Sequence, residues 1–429
     1  MAVIGMDIGT TSICGVLLDE SGSRPLRVEK INHGFLDGRI YTQDPAAIAA
    51  TVRSLVDRLW QENVTDIGIS CQMHGILLLD REGKALSPLY TWKNPFGNYP
   101  RGQETYAEYV RGITGGNEIS GRGVVTALYL QEQGQVPKDT AWVCTIGDYA
   151  ALQLTKTTLP RMNVTMAESL GCFDIQRGDF CRKTLKNLGL NPDWFPRVSR
   201  EDQVLGTYRG AGVHSALGDN QCSFLGSTWD FTGSVLLNVG TGQQVSCYAP
   251  RYLPASGVEV RSFFDLGYLY VGVSQNGGKS YERFVRLVED VVRQCTGLEI
   301  DGYEALDRLW QRHRRGHGPL QVIPAIYGEL EGLKPGTLQI GDIREEQDFG
   351  DLLEGYVRGM ARELHRLYLA IPEEIRREKT KFYGAGSGIV KNRILRQLTQ
   401  EAFGIRLLEE ESPEAAASGA AGYVRMMKK

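Results

Sequence analysis

Residues 3–18 read VIGMDIGTTSICGVLL, in which two apolar runs flank the turn-forming sequence DIGTTS. Apolar runs joined by a short turn that is rich in glycine and threonine predict a β-hairpin. Residues 235–248 read VLLNVGTGQQVSCY and repeat the same plan roughly half the chain length later. The two hairpins therefore predict two lobes that each begin with a loop of the same kind.

Strands alternate with helical patterns in both halves of the chain. Asp44 and Pro45 are typical of a helix start, and the apolar residues after them recur at helical spacing. A longer amphipathic pattern covers residues 349–368, a strand is predicted at 381–383, and the small residues of 413–423 predict a closely packed terminal helix. This alternation indicates an α/β architecture.

Length and composition narrow the class of protein. A chain of 429 residues exceeds the usual size of a single core, and we expect two domains, residues 1–230 and 231–429. A formal net charge of -3 argues against a nucleic-acid partner. Eight cysteines without metal-ligand spacing, no secretory signal and no long apolar run predict a cytoplasmic protein without disulfides or membrane spans.

The two turns could hold phosphate groups. Phosphoryl transfer needs donors around the phosphate oxygens, a magnesium ion and a base. The first turn offers hydroxyl and backbone donors, and the second turn offers a similar set: Gly9, Thr10, Thr11 and Ser12, then Gly240, Thr241 and Gly242. Asp7 is placed to hold Mg²⁺ through water. One such turn is ordinary turn chemistry, but two indicate loops that close on one nucleotide.

Three further segments could carry chemistry or be purely structural. Asp219 in ALGDNQ precedes an apolar run, where it could be a helix N-cap, a general base, or both. Met73 and His74 in QMHG and Trp92 in TWKN could contact a sugar, which presents both hydroxyls and apolar C–H faces, or could be core residues. The glycines of YGAGSGIVKN, at 383–392, form either a tight turn or a flat platform for an adenine ring.

Together these segments resemble the FGGY family of carbohydrate kinases nearly end to end. DIGTTS and NVGTG look like its two phosphate loops, GDNQ at 218–221 like its catalytic-aspartate motif, and GAGSGIVKN at 384–392 like its adenosine motif. The resemblance implies a two-lobed actin and hexokinase-like (ribonuclease H-like) α/β fold with a central cleft, and an enzyme that uses ATP and Mg²⁺ to phosphorylate a small sugar. The resemblance allows a homodimer but does not decide whether the chain forms one.

The resemblance also implies roles for residues. Asp219 would be the base and Asp7 the Mg²⁺ anchor, the two turns would hold the triphosphate, and lobe one would bind the sugar through Met73, His74, Trp92, Asp219 and Asn220. Lobe two would bind the adenosine through Gly384, Gly386 and Asn392. The segments VSQNGGKSYERF and YVRGMARELHRLY most resemble sedoheptulokinases, which phosphorylate a seven-carbon ketose, with xylulokinases as the neighbouring alternative.

The sequence departs from the family pattern at three positions. Cys14 stands where a Lys or Arg commonly follows the first loop, Asn94 replaces an Asp, and Leu330 replaces an Arg. These departures allow a second hypothesis, a degenerate kinase that senses a sugar or nucleotide without turnover. A third hypothesis, an ATPase of the same fold that moves a protein partner, is disfavoured by QMHG and GDNQ.

Overall fold

The computed structural model describes residues 1–19, 24–313, 318–330, 332–410, 412 and 414–428. The chain divides into two compact units. Unit 1 comprises Met1–Trp229, Arg261–Tyr268 and Glu411–Lys429, and unit 2 comprises Asp230–Val260 and Leu269–Glu410. The chain passes from unit 2 to unit 1 and back within two neighbouring strands, Glu259–Phe263 and Gly267–Ser274.

The strands are β1 (Ala2–Ile8), β2 (Ser12–Asp19), β3 (Arg27–Asn32), β4 (Thr42–Gln43), β5 (Val64–Cys71), β6 (Leu77–Leu79), β7 (Leu89–Tyr90), β8 (Pro100–Arg101), β9 (Glu104–Thr105), β10 (Trp142–Cys144), β11 (Met162–Asn163), β12 (Phe173–Asp174), β13 (Asp179–Phe180), β14 (Val198–Ser199), β15 (Val204–Tyr208), β16 (Ala211–His214), β17 (Leu217–Gly218), β18 (Ser234–Val239), β19 (Gln243–Ala249), β20 (Glu259–Phe263), β21 (Gly267–Ser274), β22 (Gln321–Ala325), β23 (Thr337–Gly341), β24 (Lys381–Ala385) and β25 (Leu407–Glu409).

The α-helices are α1 (Pro45–Leu59), α2 (Tyr106–Thr114), α3 (Gly123–Glu132), α4 (Ile146–Thr155), α5 (Val164–Ser169), α6 (Arg182–Asn187), α7 (Asp219–Thr228), α8 (Gly278–Thr296), α9 (Gly302–Arg312), α10 (Phe349–Leu369), α11 (Glu373–Arg376), α12 (Ser387–Val390), α13 (Arg393–Phe403) and α14 (Ala415–Met427). Short 3₁₀ turns cover Pro95–Asn98 and Pro192–Trp194. The elements predicted from local signals, including both hairpins, α1, α10, α13 and α14, are confirmed.

The main sheet of unit 1 has the strand order β15-β16-β5-β1-β2-β3, and β17 also pairs with β5. The β1–β2 hairpin is antiparallel, whereas β5 runs parallel to β1, to β16 and to β17. Helix α1 begins at Pro45, is capped by Asp44, and buries its apolar face with the sheet in one hydrophobic core. The parallel strands therefore place the residues that follow β5 and β17 at the same end of the sheet.

Helix α14 packs within unit 1, although the sequence placed every residue after 230 in the second domain. Its small residues explain this position, because they allow backbone contact with β1, β5 and α7. A Cβ added to Gly5 would lie 2.0 Å from the carbonyl oxygen of Ala417, and one added to Gly68 would lie 2.6 Å from that of Ala420. Segment 261–268 also belongs to unit 1. Both assignments depend on long-range packing that local sequence patterns do not encode.

Unit 2 contains the strands β19, β18, β24 and β25, which are consecutive in a six-stranded sheet. The β18–β19 hairpin is antiparallel and β24 runs parallel to β18, so the plan matches that of β2, β1 and β5 in unit 1. Helix α10 buries one face along its length. All eight cysteines are free thiols in the structure. No helix in the described part of the chain has the length and apolar composition that a membrane crossing requires.

Candidate active site

Unit 1 brings Asp7 and Asp219 to one end of its sheet. Asp7 on β1 pairs in register with Ser70 of β5, and Leu217 of β17 pairs with the same serine from the other side. Because α7 starts directly after β17 with Asp219 as its first residue, Asp219 follows one strand that flanks β5, and Asp7 lies near the end of the other. The pairing of backbones, rather than a flexible loop, sets their positions.

The carboxyl group of Asp7 has a pKa raised to about 7. Desolvation is the main cause and the charge of Asp219 is the second, while a 2.9 Å hydrogen bond from the Ser70 hydroxyl to Asp7 Oδ1 acts in the opposite direction. Two desolvated carboxylates that repel each other are an arrangement that a divalent cation stabilises. The described residues contain no group of three or more His, Cys, Asp or Glu side chains that could hold a metal ion.

Asp219 occupies the first turn of α7, but it is not the N-cap. Gly218 is the N-cap residue, and a Cβ there would lie only 2.5 Å from Gln221 Oε1, which explains the glycine. Desolvation raises the pKa of Asp219 to about 6, while the nearby Arg261 and backbone N–H groups at the helix start oppose that rise. The carboxyl group is therefore mostly ionised at neutral pH, and it is a stronger base than an ordinary aspartate.

The first turn is braced by side chains from other segments of the chain. Gly9 N–H donates to the Ser12 carbonyl at 3.0 Å and closes the turn. The Thr10 hydroxyl donates to Gln72 Oε1 at 3.2 Å and accepts from the indole N–H of Trp92 at 2.8 Å. These bonds occupy the hydroxyl of Thr10, whereas Thr11 is exposed. The indole nitrogen of Trp92 thus connects this residue to the turn, and 45% of the Trp92 surface is exposed.

Met73 and His74 follow β5 at the same sheet end. His74 has a φ of 72°, an uncommon conformation for a residue other than glycine. Its backbone N–H donates to the Ser169 hydroxyl at 3.0 Å, and its Nδ1 donates to the Ser169 carbonyl at 2.7 Å. Since a carbonyl only accepts, this bond fixes the proton on Nδ1. Met73 is 5% exposed, with its sulfur against Gly218. The strand end is therefore held against the start of α7.

Several polar residues near Asp219 were missed by sequence reasoning. Glu168 Oε2 accepts from the Ser262 backbone N–H at 2.8 Å, and desolvation raises the pKa of Glu168 to about 7 against the charges of Arg261 and Arg122. Four buried atoms in this region have no hydrogen-bond partner among the described residues: Asn220 Oδ1, Gln221 Oε1, Arg122 Nε and Ser262 Oγ. Buried polar atoms normally have partners, so these atoms are available to bind water or a polar ligand. These residues come from distant segments, and no local signal could have grouped them.

Unit 2 contains a cavity of about 850 Å³ beside the second turn. Among the residues predicted to bind a nucleotide, Gly240, Thr241 and Asn392 line it. Gly242, Gly384 and Gly386 are not among its lining residues, which also include Lys279, Tyr281, Tyr303 and Gly388. A Cβ at Gly386 would lie 2.4 Å from Asn238 Oδ1, so packing within the protein explains that glycine. Asn392 Oδ1 caps α13 by accepting from the Leu395 N–H at 3.0 Å.

The second turn is joined to the start of α8. The N–H of Gly278 donates to the Gly240 carbonyl at 2.8 Å, and that of Lys279 donates to the Thr241 carbonyl at 3.1 Å. A Cβ at Gly277 would lie 2.1 Å from Gly242, so only a glycine allows this contact. The turn is therefore a rigid wall of the cavity.

Comparison with known proteins identifies the family of the chain. Residues 2–230 match the N-terminal domain model of the FGGY family of carbohydrate kinases. The chain belongs to the FGGY family. It is therefore a sugar kinase that transfers a phosphoryl group, and ATP is the phosphoryl donor that this family implies.

Among its relatives, human sedoheptulokinase is 25% identical over 98% of this chain and 97% of its own length. Gluconokinase from Bacillus subtilis is 21% identical over 97% of this chain and 86% of its own length. The solved structure of a ligand-bound xylulose kinase from Lactobacillus acidophilus has a TM-score of 0.79 at 17% identity, covering 100% of this chain and 90% of that one. The α/β fold of this FGGY kinase is thus the fold of the solved sugar kinases.

The three departures from the FGGY pattern have structural explanations. Asn94 is buried and uses both ends of its amide, since Nδ2 donates to the Ile40 carbonyl at 2.9 Å and Oδ1 accepts from the Phe96 N–H. An aspartate could not donate the first of these bonds. Leu330 and Cys14 are each 2% exposed. All three side chains therefore contribute to packing or to local hydrogen bonding.

Proposed function

We propose that this FGGY kinase transfers the γ-phosphate of MgATP to the terminal hydroxyl of a ketose, with sedoheptulose as the first candidate. The observation that carries the proposal is the position of Asp219 at the start of α7, with a pKa raised to about 6. A carboxylate in that range is ionised at neutral pH and remains basic enough to accept a proton from an attacking hydroxyl.

In the proposed reaction, the sugar hydroxyl attacks the γ-phosphorus as its proton passes to Asp219. Asp7 would hold the magnesium ion of MgATP through water, which supplies positive charge to the phosphate oxygens and to the departing ADP. The exposed Thr11 and the backbone of the first turn, residues 9–12, would donate to phosphate oxygens. The braces on Thr10 would keep that turn in one conformation before the nucleotide binds.

The sugar would bind beside Asp219 in unit 1. His74 carries its Nδ1 proton toward Ser169, so its other ring nitrogen is the acceptor in the neutral form and suits a sugar hydroxyl. The unsatisfied Oδ1 of Asn220 is a second acceptor, and Met73 offers an apolar surface. The exposed ring of Trp92 would cover a C–H face of the sugar.

The nucleotide's adenosine part would occupy the cavity of unit 2. Its volume of about 850 Å³ is within the range for a cofactor site, and Tyr281 and Tyr303 among its lining residues offer aromatic surface. Gly240 and Thr241 would face the phosphates and Asn392 the adenosine, whereas Gly242, Gly384 and Gly386 would contribute by allowing close packing behind the cavity wall. In this proposal residues 1–230 bind the sugar and residues 231–429 bind the nucleotide, except that segments 261–268 and 415–427 belong with the sugar-binding part.

The eight free thiols support a reducing compartment such as the cytoplasm.

A substrate panel tests the proposal. ADP release would be measured with MgATP and sedoheptulose, xylulose, ribulose, gluconate or no sugar, and the position of the new phosphate would be read by NMR. The proposal predicts the largest kcat/KM for a ketose and phosphorylation at its terminal carbon. Binding of ATP and sugar without ADP release would instead support a sensor, and ADP release without sugar would support an ATPase.

One observation favours a second candidate substrate, an acidic sugar. The buried Nε of Arg122 has no partner among the described residues, and Arg122 acts with Arg261 on Glu168. A sugar carboxylate could accept a hydrogen bond from that guanidinium. In the panel, a preference for gluconate that Arg122→Met removes would select this candidate. The same variant should weaken sedoheptulose binding much less if the substrate is neutral.

A further inference from the structure

Acidic groups outnumber basic ones among the charges that act on Asp7, which lies just before the first turn. The charges that act on Asp7 come from Asp219, from Glu414 and from Lys30, so Lys30 is the one cation in this set. A triphosphate brings several negative charges to the same place if it binds as proposed. Such a ligand requires positive charge near the turn, beyond that of its own magnesium ion.

The register of the hairpin places Lys30 on the face of the sheet that carries Asp7. Cys14 of β2 pairs with Asp7 on one side and with Lys30 of β3 on the other. Residues directly opposite in antiparallel strands point to the same face and have Cβ atoms about 5 Å apart. Asp7, Cys14 and Lys30 therefore form a row. Cys14 is short and apolar, so it adds no charge to the row, and it is buried in a cluster with Ala417 of α14.

The ammonium group of Lys30 currently pairs with Glu414, just before α14. Its Nζ lies 3.2 and 3.4 Å from the two carboxylate oxygens. The Lys30 side chain is 48% exposed and that of Glu414 is 25% exposed. Ion pairs with this much solvent contact contribute little to stability, so the ammonium can change partners at low cost. A lysine side chain is also long and flexible enough to move along the row.

We propose that Lys30 binds the phosphate oxygens of the nucleotide held at the first turn, and exchanges Glu414 for phosphate when ATP binds. This inference rests on the proposed function, because it assumes that residues 9–12 hold the triphosphate. Lys30 would serve as the cation that position 14 lacks, from the neighbouring strand. No covalent bond is made or broken in this exchange.

Charge-changing variants of Lys30 test this role. Lys30→Met keeps the length of the side chain and removes its charge, and it should raise the KM for ATP about tenfold while leaving the KM for sugar within twofold. Lys30→Arg should stay close to wild type. Arg27→Met is the matched control, since it removes a cation from the same strand at a position paired with Leu17, farther from the turn. It should leave both KM values unchanged.

Glu414→Gln separates phosphate binding from a structural role. It breaks the same ion pair but keeps the Lys30 cation, so it should leave the KM for ATP unchanged or lower it. If the pair merely anchors α14, Glu414→Gln and Lys30→Met will raise the KM equally and lower the melting temperature equally, and the inference is overturned. Wild-type ADP release in the same assay tests the proposed function. An active wild type with an unaffected Lys30→Met variant overturns only the role of Lys30.

Discussion

Ser70 donates a 2.9 Å hydrogen bond to Asp7 Oδ1 and is also the register partner of Leu217, two residues before Asp219. Ser70, at the end of β5, therefore contacts one carboxylate of the candidate site and pairs with the strand that leads to the other. Their separation depends on the pairing of the three parallel strands β1, β5 and β17. A site built on strand ends keeps its geometry before substrates bind, and this reduces the reorganisation needed during the reaction.

The pH dependence of catalysis should report Asp219. Its pKa is raised to about 6, so the base is lost as pH falls through 6 and is fully available above about 7. With MgATP saturating, kcat/KM for the sugar should fall about tenfold per pH unit below 6 and be flat from 7 to 8. Initial rates from pH 4.5 to 8 check this. An acid limb centred near 4, where an ordinary aspartate titrates, would contradict the assignment.

Asp7→Asn should make the protein more stable while it removes activity. The folded-state pKa of Asp7 is about 7 and the ordinary value is 3.8, so the protonated form is favoured in the fold and stability is lost as pH rises through this window. In the absence of nucleotide and magnesium, the variant should melt at least about 2 °C higher than wild type at pH 8, with the difference shrinking toward pH 4.

The matched control for that measurement is Asp37→Asn. Its exposed carboxylate accepts hydrogen bonds from Arg39, which lower its pKa. Neutralising it should therefore not stabilise the protein at pH 8. An Asp7→Asn variant that melts below wild type at pH 8 would show that its carboxylate is stabilised by the fold instead.

His74 should control the affinity for sugar. His74→Asn introduces a residue that tolerates the observed φ of 72°, but it removes the imidazole ring that is held by Ser169. The KM for sugar should rise about tenfold, as expected for one lost hydrogen bond, with the KM for ATP nearly unchanged. His365→Asn, on α10 in unit 2, is the control and should change neither constant. An equal rise in the KM for ATP would show that the change disturbs the fold or the first turn.

Gly419 in α14 should be needed for the position of the catalytic helix. A Cβ there would lie 1.9 Å from the carbonyl oxygen of Cys222 in α7, so Gly419→Ala must push the two helices apart. We expect a loss of about 1–3 kcal/mol in the free energy of unfolding, together with a lower kcat. Gly112→Ala in α2 is the control, because a Cβ at that position meets no atom within 4 Å. Denaturant titrations and initial rates of both variants test this, and equal stability of the two would refute it.

The sequence predicts those parts of the fold whose signals are local. The two hairpins follow from apolar runs around glycine-rich turns, and α1 follows from Asp44, Pro45 and the apolar period after them. The candidate residues Asp7, His74 and Asp219 also stand out, because they lie at or just beyond the ends of strands within short motifs. A strand end is where a parallel sheet presents side chains to a ligand.

The remaining features depend on contacts between distant segments. The docking of α14 on β1 and α7 rests on glycines in four different elements, and no sequence period records their contact. Glu168 and Ser262 meet across 94 residues of chain. The bond from Trp92 to Thr10 spans 82 residues. Gly218, which is closely packed, caps α7, and Asp219 is the first helical residue. A motif alone does not show which of the two residues is the cap.

The most direct test of the account is ADP release by wild type and by Asp219→Asn with MgATP and the preferred sugar, with ATP affinity of both measured by calorimetry. Asn has the shape of Asp but cannot accept the hydroxyl proton. The account predicts a kcat lowered at least a hundredfold with ATP and sugar still bound at near-normal affinity. A variant that keeps more than a tenth of the wild-type kcat would contradict Asp219 as the base, and with it the proposed mechanism.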